Sequence, residues 1–219
     1  MASSSTGKLE PFLLMAKSAK GVSASKLIEN AIGAPGVYVY AELLDVPNVK
    51  ELSENSQFSG YLTLLQIFSY GTYADYRRMI ISCFIENQDR LPKLNQSQLT
   101  KLKQLSIVSL ANESRILPYS QLLAALDLPS IRVLEDLIID AIYADIVRGK
   151  LDQKQQQFEV QYTMGRDLRP GQLEELLEAL QDWSVRFIPA SGLVSIVLYR
   201  LGRAAFHWSL MHWTEKLQT

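Results

Sequence analysis

Apolar residues recur at intervals of three and four positions through the first half of the chain, which is the spacing of helices that bury one face. The spacing predicts helices in Ser23–Gly33, in the aromatic-rich stretch Phe58–Tyr76 and in Gln98–Ser114. The first is expected to end at Gly33, because glycine often follows the last periodic residue of a helix. The aromatic stripe of the second is expected to pack against other helices rather than to line a ligand pocket.

The segment Val37–Tyr40 is open to two interpretations. Its valines and tyrosines favour a strand by propensity. Leu43 and Leu44, however, extend an apolar face at helical spacing. We therefore expect a helix here.

Two distant segments share one pattern: a helix, Leu-Asp, an apolar residue, a proline, and Asn or Ser before a second helix. They are Glu42–Glu54 and Ala124–Asp136. Proline ends one helix and is tolerated in the first turn of the next, and the polar side chains are expected to cap the new helix. In the second corner the cap is Asp127 or Ser130. No regular period links the two corners, which favours independent use of one capping chemistry over an internal repeat.

The second corner leads into a pattern typical of a winged helix. A long amphipathic helix is expected from Ile131 to about Val147, with Gly149 as its end. A strand near Leu151, a polar loop and a second strand follow. In that strand apolar and polar residues alternate, as in a half-buried strand; its apolar positions are Phe158, Val160 and Tyr162. Another amphipathic helix is predicted after Pro170.

The charges of the long helix argue against DNA binding, the common role of a winged helix. Its charged residues are Arg132, Glu135, Asp136, Asp140 and Asp145. Four acids and one base repel a phosphate backbone, whose attraction to cations provides most of the affinity. The whole chain has a formal net charge of −1, so it has no bulk attraction for nucleic acids or anionic membranes.

The composition, with 219 residues, 47% hydrophobic and 21% charged, is typical of a soluble globular protein with a sizeable core. Cys83 is the only cysteine, and the apolar run Phe12–Ala16 is too short for a signal peptide, so we expect an intracellular protein. His207 and His212 lack a metal-ligand pattern, and the sequence has no phosphate-binding loop or nucleophile motif. We expect no metal, no cofactor and no catalytic residues.

A winged helix that does not read DNA often offers its sheet edge to another protein. We therefore expect the second strand to lie at the edge of its sheet and to bind a neighbouring protein. The candidate interface residues are Leu151, Phe158, Val160, Gln161 and Tyr162. The alternative is that they cover the helices of their own domain, as at least half of them must.

Several long runs resemble a known family. They are LLMAKSAKG (13–21), APGVYVYAELLDVPNV (34–49), FSYGTYADY (68–76), VLEDLIIDAIYADIVRGKLDQ (133–153) and GRDL (165–168). Helical corners leading into a non-basic winged helix look like a PCI domain, the module shared by the proteasome lid, the COP-nine signalosome and translation initiation factor three. The quoted runs narrow the resemblance, over roughly residues 9–184, to the subunit-seven family of the signalosome.

The resemblance implies a mostly α-helical fold. A right-handed helical-repeat part (1–97) would precede a winged-helix part (98–165), which together form the PCI domain, then a C-terminal helix (166–187) and a divergent apolar tail (188–219). It also implies a non-catalytic scaffold in cytoplasm and nucleus, bound to other PCI-domain subunits and indirectly to cullin-RING ubiquitin ligases, with neither nucleic acid nor membrane as a partner. The signalosome removes the modifier Nedd8 from cullins, through a zinc-bearing subunit whose His-x-His signature this chain lacks.

The chain departs from the family in two places. An apolar stretch occupies 77–90 instead of a short polar linker, and after Trp183 an apolar sequence replaces a charged helix and a basic tail. The tail 188–219 is expected to be poorly anchored, to lower solubility and not to replace the family's helix in the bundle formed by all subunits. The alternatives are a PCI subunit of the proteasome lid or of initiation factor three and, in another class, a winged-helix nucleic-acid-binding protein.

Overall fold

The computed structural model describes residues 4–53, 55, 58–85 and 92–187. It confirms the predicted fold class: a mostly helical chain with a small sheet, in which a helical part precedes a winged helix. Of the described residues, those up to Leu168 form one compact unit, and those from Arg169 to Phe187 belong to a second. The tail 188–219, with its predicted poor anchoring and both histidines, lies outside the described residues.

The helical part consists of short and medium helices joined by tight turns. Its elements are α1 (Ser4–Ala16), α2 (Val22–Gly33), α3 (Ala41–Asp45), α4 (Pro47–Lys50), a 3-10 turn (Glu51–Ser53), α5 (Ser59–Tyr70), α6 (Tyr73–Ile85) and α7 (Gln96–Glu113). The first part of the apolar stretch 77–90 continues α6 as far as Ile85, and the rest of it lies outside the described residues. The helices predicted in Ser23–Gly33 and Gln98–Ser114 are confirmed within two residues at each end. The stretch Phe58–Tyr76 is helical but is divided between α5 and α6 at Gly71 and Thr72.

The core of the helical part is built from the predicted apolar stripes. Ile28 of α2, Leu65 and Phe68 of α5 and Leu102 of α7 have no exposed surface. The ring of Phe68 meets that of Tyr40 edge-on, with centroids 6.2 Å apart, an arrangement that aromatic pairs favour. The aromatic stripe thus packs between helices, as expected.

The expected helix over Val37–Tyr40 is wrong. The segment is neither helix nor strand, and it carries Val37 and Tyr40 into the core, where they are 1% and 0% exposed. The hydroxyl of Tyr40 donates a hydrogen bond to the carbonyl of Val37 at 2.7 Å. The burial of Val37 and Tyr40, together with the hydrogen bond between them, outweighs the helical spacing of the apolar residues. Helix α3 therefore begins only at Ala41.

The winged-helix part contains one more strand than predicted. Its elements are β1 (Ile116–Pro118), α8 (Tyr119–Leu126), α9 (Ile131–Tyr143), β2 (Val147–Asp152) and β3 (Gln157–Thr163), and α10 (Gln172–Phe187) follows in the second unit. The antiparallel sheet has the order β1–β3–β2. The expectation of a two-stranded wing missed β1, because three residues are too few to show an alternating pattern.

The long helix ends earlier than its sequence indicated, at Tyr143 rather than near Val147. Gly149 is not a helix stop but lies within β2. A Cβ atom there would lie 2.7 Å from Cε2 of Phe158 and closer still to the Glu159 carbonyl oxygen. Glycine is therefore needed for the close approach of β2 to β3 beside the bulge at Arg148.

The two proline corners differ in their capping chemistry. At the second corner, Ser130 is the cap of α9, and its hydroxyl accepts a hydrogen bond from the Val133 N–H at 3.4 Å. At the first corner the expected cap is wrong, because α4 has no side-chain cap. Asn48 instead donates to the carbonyls of Ala16 and Lys17, at 3.0 and 2.8 Å, and so ties the end of α1 to the corner.

Candidate protein-interaction surface

The strand that carries most of the predicted interface residues is not an edge strand. β3 pairs with β1 on one side and β2 on the other, so the predicted edge position is wrong. Phe158 and Val160 are buried, at 0% and 6% exposed, and they pack in the core beneath the sheet. Those two side chains cover the helices of their own domain, which was the alternative interpretation.

The other candidates lie closer to the surface. Tyr162 is 54% exposed, and Gln161 is exposed at the point where the bulge interrupts the ladder. The guanidinium of Arg148 lies over the Tyr162 ring, 5.6 Å from its centroid, and pairs with Asp145 at 2.9 Å. Leu151 is half-buried at the margin of the core.

Strand β2 forms one edge of the sheet. The hydrogen bonds of the neighbouring strand β3 show which backbone groups of β2 point outward from that edge. The Val160 N–H donates to the Arg115 carbonyl at 2.8 Å, so the backbone of Val160 faces β1. Backbone direction alternates along a strand, so Glu159 faces β2, where it pairs with Lys150. The N–H and carbonyl of Leu151, the next residue in β2, therefore point away from β3.

The exposed face of α9 is the second surface of the winged helix. Its residues are Arg132, Asp136, Ile139, Asp140 and Tyr143. Tyr143 is 86% exposed and Ile139 is 39% exposed. On the opposite face, Leu134, Ile138 and Ala141 are fully buried. This surface carries two acids, two apolar side chains and a single base, whereas the corresponding face of a DNA-reading helix is rich in basic and amide side chains.

Two consecutive residues after β3, Arg166 and Asp167, form hydrogen bonds that connect the end of the winged helix to the helical part. The guanidinium of Arg166 donates to the carbonyls of Phe68 and Gly71, both at 2.8 Å. It also donates to the Ser109 hydroxyl on α7. One side chain thus contacts the C-terminal ends of α5 and α7.

The neighbouring Asp167 holds the start of α3. Its carboxylate accepts hydrogen bonds from the N–H groups of Tyr40 and Ala41, at 2.6 and 3.1 Å. A carboxylate at a helix N-terminus satisfies donors that the helix leaves without partners. Burial raises the pKa of Asp167, while the two N–H groups and Arg166 oppose that shift.

Lys101 is a buried cation inside the helical part, 8% exposed. Its ammonium group donates to the carbonyls of Ile32 and Ala34, at 2.7 and 2.9 Å, and so caps the end of α2. It also lies 5.3 and 5.4 Å from the ring centroids of Tyr38 and Tyr40. Burial lowers the pKa of Lys101 to about 7.

Sequence reasoning missed these polar contacts. Lys101 lies in an amphipathic helix and reads as a surface residue, whereas Arg166 and Asp167 lie in the short run GRDL. In the sequence, that run stands out only through the family resemblance. The hydrogen bonds of Arg166 and Asp167 reach residues 57 to 127 positions away in the chain, so no local pattern indicates them.

The described residues contain no group of three or more His, Cys, Asp or Glu side chains able to hold a metal ion. Among the helices of that part of the chain, none is long and apolar enough to cross a membrane.

A helical part joined to a winged helix whose outer helix face is acidic has the arrangement of a PCI-domain protein. Comparison with known families agrees, since the PCI domain matches residues 74–161 and the CSN7 helical bundle subdomain matches residues 10–41.

Relatives extend the match. Subunit 7a of the COP9 signalosome complex from Mus musculus is 48% identical over 80% of this chain and 61% of its own length. Subunit 7 from Dictyostelium discoideum is 44% identical over 80% of this chain and 64% of its own length. Subunit M of eukaryotic translation initiation factor 3 from Neosartorya fischeri is 30% identical over 73% of this chain and 34% of its own length.

The chain belongs to the subunit 7 family of the COP9 signalosome. It spans a little over three fifths of the length of these subunit 7 relatives.

Proposed function

We propose that this chain is a non-catalytic scaffold subunit of the signalosome, the complex that removes Nedd8 from cullin-RING ubiquitin ligases. The observation that carries the proposal is the 48% identity to signalosome subunit 7a over 80% of the chain. The 30% identity to an initiation-factor subunit makes that complex the weaker candidate. We propose that this chain is located in the cytoplasm and the nucleus.

The proposed contact with a neighbouring PCI-domain subunit is the outer edge of β2. An edge strand presents unpaired backbone groups on which another chain can add a strand. Leu151 is the residue to test, because its backbone points outward and its side chain stays half-buried at the core margin. Tyr162 and Gln161 stay predicted contacts beside it.

Co-expression with the other signalosome subunits tests this contact. We expect Leu151→Pro, which removes one outward N–H, to lower recovery of the neighbouring subunits about tenfold while β2 stays paired with β3. Leu151→Ala is the matched control, because it loses side-chain packing but keeps the N–H, and it should retain most of the recovery. Equal recovery of both folded variants would place the contact elsewhere.

The identity of the complex is tested separately by the wild-type chain. Affinity purification from cells, followed by mass spectrometry, should recover signalosome subunits in stoichiometric amounts. Stoichiometric recovery of initiation-factor or proteasome-lid subunits instead would refute the proposed function.

A further inference from the structure

The exposed face of α9 has a composition that its own fold does not require. Ile139 and Tyr143 lie one helical turn apart and are 39% and 86% exposed. Asp136 and Asp140, also one turn apart, form a second row beside these two residues on the same face. Side chains at these spacings are neighbours on a helix, so the face carries an apolar row beside a row of two carboxylates.

The two carboxylates of this face differ from the other acids nearby. Glu135 accepts hydrogen bonds from the Tyr119 hydroxyl and the Gln153 amide, both at 3.2 Å, and Asp145 pairs with Arg148. Among the described residues, Asp136 and Asp140 take part in none of the ion pairs. Arg132 lies on the same face one turn before Asp136, so the face has two acids against one base, and its net negative charge is available to a partner.

Charge selects the partner among three classes. Nucleic acid is repelled, because its phosphates would approach two carboxylates. A second copy of the chain is disfavoured as well: if the Ile139 side chains of two antiparallel helices stack, the acids of one copy lie beside those of the other, and like charges are costly. A protein segment with lysine or arginine beside apolar residues matches both features.

We propose that this face of α9 is a docking site for a cationic amphipathic segment of another protein. Apolar side chains of the segment pack on Ile139 and Tyr143, and its lysines or arginines pair with Asp136 and Asp140. The site is separate from the outer edge of β2, so it adds a second interaction surface to the winged helix.

Site-specific photocrosslinking tests the proposal in the full chain. Benzoylphenylalanine replaces Tyr143 in cells, and the crosslinked peptide is sequenced by mass spectrometry. The matched control carries the probe at Gln155, an exposed position in the turn between β2 and β3. We expect position 143 to capture a lysine- or arginine-rich segment of another protein that position 155 does not capture.

The double variant Asp136→Asn and Asp140→Asn keeps the shape of both side chains and removes their charge. It should lower the crosslink yield about fivefold, since an exposed ion pair contributes up to about 1 kcal/mol. An acidic or neutral crosslinked peptide, a peptide from a second copy, nucleic acid, no crosslink specific to position 143, or an unchanged yield would each overturn the proposal. Recovery of signalosome subunits should be unaffected by the double variant, so its result is distinct from that of Leu151→Pro.

Discussion

The helical part and the winged helix bury different kinds of side chain. Helix α7 contributes to both cores, and the predicted division at residue 98 placed most of it in the winged-helix part. With α7 counted in the helical part, all buried polar or charged side chains among the described residues belong to that part: Ser25, Ser69, Gln98, Lys101, Gln104 and Ser106. The core of the winged helix is formed by apolar residues, with Leu117, Leu134 and Phe158 fully buried. Its ion pair between Asp145 and Arg148 lies at the surface, with both side chains more than 60% exposed.

This contrast has an energetic meaning. A helix leaves the carbonyls of its last turn without helical partners, and at the end of α2 the buried Lys101 supplies a donor to the carbonyls of Ile32 and Ala34. Removing such a side chain exposes the full cost of a buried, unsatisfied group. The winged helix pairs much of its backbone in a sheet, so its polar side chains contribute less.

The variant expected to have the largest effect is Arg166→Ala, which tests whether polar side-chain contacts with the helical part stabilise the fold. The variant leaves the carbonyls of Phe68 and Gly71 and the Ser109 hydroxyl without this donor. We expect the free energy of unfolding to fall by about 3 kcal/mol, measured by urea denaturation.

Arg166→Lys is the control for charge. Lysine keeps the charge but cannot reach several acceptors in the planar geometry of a guanidinium, so only part of the loss should be recovered. An Arg166→Ala variant with the wild-type urea midpoint would show that the contacts of this residue do not stabilise the fold.

The buried ammonium of Lys101 predicts a pH dependence of stability. Its pKa is lowered to about 7 in the folded state and lies near 10.4 when unfolded. Between these values the unfolded chain binds more protons, so stability rises with pH. The gain should be about 2 kcal/mol between pH 7 and pH 9.

Lys101→Met isolates this contribution, because methionine fills a similar volume without a titrating group. Urea denaturation at several pH values should show a flatter profile for the variant, apart from a contribution from Lys103, whose pKa is also lowered. The buried Tyr40 has a raised pKa and stays neutral throughout this range. Parallel profiles for variant and wild type would contradict the prediction.

The sequence predicted the apolar half of this comparison better than the polar half. Helix α7 and the strand Gln157–Thr163 follow from repeating patterns, because burial of one face imposes a period on the chain. The contacts of Lys101, Arg166 and Asp167 impose no period. They depend on which distant carbonyl or N–H group folding brings near, and a single sequence does not encode that in local spacing.

The candidate surface shows the same division. The alternation of Phe158 and Val160 correctly predicted a half-buried strand, but alternation does not reveal which strands flank it. β1 has three residues, and pairing with it turned a predicted edge strand into a central one. The edge strand on that side is therefore β2. Of the predicted interface residues, only Leu151 belongs to β2.

The smallest predicted effect lies at the corner before α9, where the winged helix uses a polar side chain at its surface. The sequence left Asp127 and Ser130 as alternative caps. The structure assigns the cap to Ser130, whereas Asp127 ends α8 in a left-handed conformation with φ 49° and pairs with Arg77 at 3.1 Å. Ser130→Ala should therefore lower the free energy of unfolding by about 1 kcal/mol, less than Arg166→Ala, because the hydroxyl is exposed and water can replace it. The matched control for this prediction is Asp127→Asn.

This variant removes an exposed ion pair worth at most about 1 kcal/mol and keeps a side chain that tolerates the left-handed conformation. Its free energy of unfolding should therefore stay nearer to that of the wild type. A larger loss for Asp127→Asn than for Ser130→Ala would show that the ion pair with α6, and not the helix cap, holds this corner.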